Sequence, residues 1–203
     1  MAQNGVERQL EVRVQKTEFA IFPYSERNGR FGIVQEDVMR RNYPHAYSFL
    51  CSCREKLLNR DKGKCDYPAW YAYGRTQGMN CSGYKLLIPY IAGTPTAVLS
   101  LDRDLLFYCG YALINDDVEE LRYLKIFLES DAFWFYIYHT SKPYSKGFMA
   151  LAKNYITRFS VPMLGKTARH RLFAAKSSAD RNRLVWEAYG ITKPPRLVDF
   201  VPL

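Results

Sequence analysis

Four cysteines, Cys51, Cys53, Cys65 and Cys81, are the first side chains in this sequence whose type and spacing could do chemistry. They supply enough thiolates for a zinc ion, but structural zinc sites use paired Cys-x2-Cys knuckles, and none occurs here. Asp102 and Asp104 stand two apart at an expected strand end, where they could share a divalent metal; paired surface acids are more often simply solvated. A metal-dependent nuclease would add a Glu-x-Lys at suitable distance from an Asp, and the sequence has none. His45, His139 and His170 are scattered, and no serine or cysteine has the Gly-x-Ser-x-Gly surroundings of an activated nucleophile. Methyl transfer to an adenine amine needs a glycine-rich cofactor turn and an Asn-Pro-Pro-Tyr-like loop around the exocyclic nitrogen. Asn42-Tyr-Pro44 and Lys193-Pro-Pro-Arg196 resemble that loop only superficially, and Asn28-Gly-Arg-Phe-Gly32 is better read as a turn.

Charge gives a positive signal where the catalytic motifs give none. Twenty-nine Lys and Arg against 20 Asp and Glu leave a formal charge of +9, which favours a polyanionic partner, nucleic acid or anionic membrane. The stretch Leu164 to Arg196 holds eight Lys or Arg against Asp180 and Glu187, and so carries six of those nine charges. Phosphate binding and a plain solvated helix face compete to explain it. With 203 residues, 48% of them hydrophobic, the chain can bury a real core. No run approaches the ~18 apolar residues of a membrane span, and Met1 to Gln9 has no apolar signal core, so a soluble, cytoplasmic protein with no membrane partner is expected. Cys109 makes the cysteine count odd, and all five are read as reduced thiols.

The elements that must carry these residues follow from periodicity. Phe19 to Phe22 and Phe31 to Val34 are apolar runs around Asn28-Gly29, a β-hairpin signal. From Pro44, apolar residues at Ala46, Leu50, Cys53 and Leu57 recur at helical steps, with Pro44 in the first turn. Between Trp70 and Ile114 the period changes: Trp70 to Tyr73, Leu86 to Ile88, Ala97 to Leu99 and Phe107 to Ile114 read as strands of a mixed or antiparallel sheet. Asn115-Asp-Asp117 caps a helix whose apolar face is Val118, Leu121, Leu124 and Leu128. The aromatic run Phe133 to Tyr138 either extends that helix or forms a strand. Ser141 to Gly147 is a break. Further helices are expected over Ala150 to Ile156 and from Ser178 to Tyr189, the latter stopped by Gly190, and Arg196 to Leu203 reads as an extended tail. The pattern is α/β, or α+β: a sheet with flanking helices and a helical C-terminal end. No repeat or linker divides it, so residues 1–203 read as one domain, with a subdivision near Lys142 as the alternative.

Tyr67-Pro-Ala-Trp-Tyr-Ala-Tyr-Gly-Arg-Thr-Gln-Gly78, Lys85-Leu-Leu-Ile-Pro89 and Gly110-Tyr-Ala-Leu113 follow one another in order. Tyr123 to Ser130 and Gly147 to Pro162 continue that order, and Phe22-Pro-Tyr24, Tyr43-Pro44 and Leu57 to Asp61 precede it. Together they resemble the C-terminal target-recognition region of N6-adenine DNA methyltransferases, restriction-modification fusions included, over roughly residues 20 to 190. The likeness is to the specificity domain of the TaqI-type enzymes, and Gly147 to Pro162 also resembles type I specificity subunits. In that family the catalytic domain lies N-terminal to the reader. The resemblance thus implies a fragment or split-gene product that reads double-stranded DNA beside a methyltransferase domain or subunit. S-adenosylmethionine is then expected in that missing domain, with no cofactor, catalytic residue or metal ligand in this chain.

Under the resemblance, Tyr73, Arg75, Thr76, Gln77 and Lys85 are candidate DNA contacts. Arg pairs bidentately with guanine and Gln with adenine, while Gly74 and Gly78 admit a close backbone. The competing reading is a β-turn whose arginine is merely solvated. Lys142, Tyr144, Ser145 and Lys146 combine cations, hydroxyls and a ring suited to phosphate, against the alternative of an ordinary polar connection. Trp70, Trp134 and Trp186 belong to apolar segments and read as core. A different function class is a protein-interaction module that docks a modification complex without DNA specificity of its own.

Overall fold

The computed structural model describes residues 20–63, 66–76, 78–79 and 81–195. Phe19, Cys65, Gln77 and the tail from Arg196 to Leu203 therefore lie outside the described residues. Contacts divide the chain into two compact units, one of residues 20–81 with 106–108 and one of 82–105 with 109–195.

In the first unit β1 (Tyr24–Arg27) and β2 (Arg30–Ile33) form an antiparallel hairpin about the expected turn, but the first strand lies beyond the Phe19 to Phe22 run, next to the turn. Asn28 and Gly29 both sit at positive φ, 52° and 73°, the conformation a two-residue hairpin turn demands. Three short helices follow: α1 (Glu36–Asn42), α2 (Pro44–Ser52) and α3 (Arg54–Leu58). Glu36 and Asp37 open α1 and Arg40 and Arg41 close it, matching its dipole, and Pro44 occupies the first turn of α2. Met39, Leu50 and Tyr71 are buried together, with Ile33, Tyr47, Leu57 and Trp70 packed around them. Glu36 accepts hydrogen bonds from Trp70 Nε1 at 3.0 Å and Tyr47 Oη at 2.8 Å. Those two bonds, Trp70 first, hold its carboxyl below the ordinary 4.5, while the Tyr47 phenol is pushed up to about 12, chiefly by the same carboxylate.

The Trp70 to Tyr73 run is not a strand. It forms turns, because the Arg60 guanidinium binds the carbonyls of Trp70 and Ala72, both at 2.9 Å, as well as that of Leu57 at 2.8 Å. Carbonyls spent on one side chain cannot serve a ladder.

The second unit is built on β3 (Tyr84–Ile88), flanked by β5 (Val98–Ser100) and β6 (Tyr111–Asn115) in an antiparallel sheet. Leu86 pairs with Leu99 on one side and Leu113 on the other. A separate two-stranded ribbon joins β4 (Ile91–Ala92) to β7 (Met149–Ala150), also antiparallel. Two helices cover the sheet, α4 (Val118–Leu128) and α5 (Asp131–Thr140). Asp117 caps α4 by accepting from the N–H groups of Glu119 and Glu120, as its sequence announces.

The aromatic run is neither an extension of α4 nor a strand. Ser130 accepts from the Phe133 N–H and starts a new helix there. Phe133, Trp134 and Ile137 of α5 join Leu86, Ile88 and Leu121 in one core cluster, while Ala132 joins a second with Tyr123, Phe127, Leu172, Val185 and Trp186. The expected helix over Ala150 to Ile156 shrinks to α6 (Lys153–Ile156), and α7 (Lys166–Ala174) was not anticipated. α8 (Ser178–Ala188), capped by Ser177 and ended before Gly190 at φ 74°, matches expectation and completes the helical C-terminal end. The molecule is thus a mixed α/β protein with small antiparallel sheets.

Candidate nucleic-acid interface

The sequence-predicted contacts fall into two groups, one in each unit, and Lys85 belongs to neither surface. In the first unit Tyr73 is held inside an aromatic cluster. Its hydroxyl donates to the Ile21 carbonyl at 2.6 Å, its N–H donates to the Tyr24 hydroxyl at 2.6 Å, and Phe22 and Tyr24 meet its ring edge-on. Burial, with Tyr24 nearby, raises its pKa. Arg75 and Thr76 are exposed, and Arg75 makes no hydrogen bond or ion pair among the described residues. Gln77 lies outside them. The space that Gly74 and Gly78 leave is taken by the chain itself. A Cβ at Gly74 would lie 3.2 Å from the Tyr67 hydroxyl, and one at Gly78 would lie 2.8 Å from the Phe107 carbonyl.

Lys85 is fully buried on the central strand. Its ammonium donates to the carbonyls of Gly83 at 2.9 Å and Arg103 at 2.6 Å, tying the start of β3 to the loop after β5. The Arg103 side chain lies over the Tyr84 ring and pairs with Asp116 at 2.6 Å. No donor of Lys85 faces solvent, so it serves the fold.

Lys142, Tyr144, Ser145 and Lys146 come together on one exposed loop between α5 and β7. Its ends are tied: Ser141 Oγ donates to the Ala150 carbonyl, the Ala150 N–H donates to the Lys142 carbonyl at 3.0 Å, and Pro143 bridges to Met149. At the tip Lys146 and Gly147 are left-handed, at φ 60° and 78°. A lysine there is strained, and the reversal brings the Tyr144 N–H to the Phe148 carbonyl at 2.6 Å. Neither lysine pairs with a carboxylate among the described residues.

The basic terminal stretch is quieter than its charge suggests. Arg169 pairs with Glu120 at 2.7 Å and lies over the Tyr123 ring, and Arg183 pairs with Glu187 at 2.6 Å. Arg171 also lies 3.9 Å from Glu187. Lys166, Lys176 and Lys193 stay exposed. Sequence reasoning missed three further exposed groups beside the 141–147 loop: Tyr90, Ile91 and Phe148. Among the described residues, no three His, Cys, Asp or Glu side chains gather as a metal site, and no helix is long and apolar enough to cross a membrane.

Fold and surface together define an α/β protein with one tied loop that gathers two exposed lysines and an exposed tyrosine. No family model matches the chain. Over 112 residues, 50% of this chain, it is 28% identical to an Escherichia coli protein named Type II restriction enzyme and methyltransferase RM.Eco57I. The match covers 11% of that protein, so the chain spans only a small part of its relative's length.

Proposed function

We propose that this chain is a DNA-reading part of a restriction-modification protein, the target-recognition portion of an N6-adenine DNA methyltransferase. The observation that carries the reading is the match to a protein named as both restriction enzyme and methyltransferase, of which the chain spans only 11%. The net charge of +9 agrees with a polyanionic partner, as do Lys142 and Lys146, which pair with no carboxylate among the described residues. In this reading Lys142, Tyr144, Ser145 and Lys146 hold phosphates of duplex DNA, Arg75 and Thr76, with Gln77, read base edges, and residues 1–203 act as one recognition region. Tyr73 positions the Arg75 turn through its bond to Ile21. Methyl transfer and S-adenosylmethionine belong to a methyltransferase domain or subunit, and any DNA cleavage to the rest of such a protein.

The test is fluorescence anisotropy with labelled duplexes as salt rises from about 50 to 200 mM. Engagement of roughly six phosphates would weaken binding by orders of magnitude over that range. A flat salt response, or capture of a methyltransferase subunit without DNA binding, would replace DNA reading with protein docking.

A further inference from the structure

The ribbon of β4 and β7 has an outer face with no partner among the described residues. Side chains alternate along a strand, and the register pairs Ala92 with Met149 and Ile91 with Ala150. Ala92 and Met149 are buried in the first core cluster of the second unit, so Ile91, Phe148 and Ala150 share the opposite face. Ile91 is 38% exposed, Phe148 42% and Tyr144 58%. The Phe148 ring rests over Gly93, 3.6 Å from where a Cβ would stand, which fixes the ring without covering it. Lys142 and Lys146 are exposed on the same loop as Tyr144, and the Lys142 carbonyl accepts from the Ala150 N–H. Across residues 89–96 and 141–150 the sequence has no acidic residue.

Apolar exposure alone names no occupant; the charges around it do. Lys142 and Lys146, neither paired with a carboxylate among the described residues, stand on a loop with exposed rings and no acidic residue, so the face calls for a polyanion. The complement is a surface with regularly spaced negative charges and apolar matter between them. Duplex DNA has that form, with phosphates bordering sugars and base edges. Resting on the DNA-reading assignment, we propose that the outer face of this ribbon enters a groove of the duplex. Phe148 and Tyr144 lie against sugar and base between phosphates held by Lys142 and Lys146.

Salt dependence separates the two kinds of contact, because releasing counterions changes the slope of log affinity against log salt and apolar contact does not. The full chain is titrated with duplex DNA over about 50 to 200 mM salt, with Lys142→Ala/Lys146→Ala, Phe148→Ala and Tyr144→Ala beside the parent. The double lysine variant is expected to flatten the slope by roughly 1.8, about 0.9 per phosphate. Phe148→Ala is expected to weaken binding about tenfold at every salt with the slope unchanged, the scale of one lost ring contact. Circular dichroism checks that Phe148→Ala folds, and Tyr144→Ala, whose ring is more exposed, repeats the test without touching the ribbon core. If the parent binds duplex while both ring variants bind within about twofold of it, the ring contact is wrong and DNA reading stands. If the parent binds no duplex at any salt, the DNA-reading assignment falls and takes the ring contact with it.

Discussion

Replacing Lys85 by methionine separates two roles for a residue whose chemistry suits DNA and whose position does not. Lys85 is 0% exposed, and its ammonium holds two carbonyls at 2.9 and 2.6 Å. Methionine keeps most of the stem and removes the charge and its donors. Each charge-assisted bond contributes roughly 1.5–3 kcal/mol, and relieving the ammonium of its desolvation returns several kcal/mol. The Arg103 carbonyl keeps the Gly83 N–H at 3.2 Å as a second donor, so it is not orphaned. A net loss of about 1–3 kcal/mol follows, the cost of leaving buried carbonyls short of a donor. With a denaturant slope of about 2 kcal/mol per molar, the urea midpoint falls by roughly 0.5–1.5 M. Lys85→Ala also strips three methylenes from a packed site, and at about 0.8 kcal/mol each it should cost some 2 kcal/mol more. Neither variant should change the salt slope of DNA binding. Unchanged stability together with a slope lower by about 0.9 would put the ammonium on a phosphate and refute the structural role.

Four further outcomes are expected. Arg75→Ala should relax the ratio of cognate to non-cognate binding at a cost of roughly 1–3 kcal/mol on the cognate site; competition titrations showing an unchanged ratio would make the turn structural. Lys146→Gly relieves the left-handed strain at φ 60°, so thermal stability should hold or rise while DNA affinity drops; a lower melting temperature would contradict the strained tip. Glu36 has a depressed folded pKa, so it contributes stability above its ordinary 4.5 that is lost as pH falls below that value; Glu36→Gln should lessen the fall of the urea midpoint below pH 4.5, and an unaltered acid limb would remove the Trp70–Tyr47 cause. The chain alone should neither bind S-adenosylmethionine in calorimetry nor transfer a tritiated methyl group to duplex DNA, since its sequence lacks the loop that grips a flipped adenine; transfer by the chain alone would reveal an unrecognised site.

Elements announced by local chemistry were legible in the sequence. Asn28-Gly29 needs positive φ at both positions, Asp117 offers an acceptor to α4, and Gly190 stops α8; each signal lies within a few residues of what it specifies. What failed depends on partners far along the chain. Trp70 to Tyr73 has strand-forming residues, but Arg60 takes its carbonyls. α5 shows no clean period because its two sides enter two different cores, and α7 buries only Leu172, too little for a pattern. Lys85 reads as a surface cation because a single lysine in a strand normally points to water, and only the fold shows carbonyls waiting for it.

The candidate interface followed the same rule with a different consequence. The Lys142 to Gly147 loop could be picked out by composition, yet the outer face beside it needs Ile91 paired with Ala150, a long-range register that no local pattern contains. Net charge alone left the terminal stretch open between phosphate binding and a solvated helix face. The terminal stretch carries six of the nine excess charges, but Arg169 is spent on Glu120 and Arg183 on Glu187; only the second partnership, four residues apart, can be read from sequence. A cation already paired with a carboxylate gives up that attraction when it turns to a phosphate, so it adds less affinity than a free one. The ribbon holds fewer cations than the tail, and neither Lys142 nor Lys146 is paired with a carboxylate among the described residues. If the chain reads DNA as proposed, Lys142 and Lys146 should therefore contribute more phosphate affinity per charge than Arg169 and Arg183.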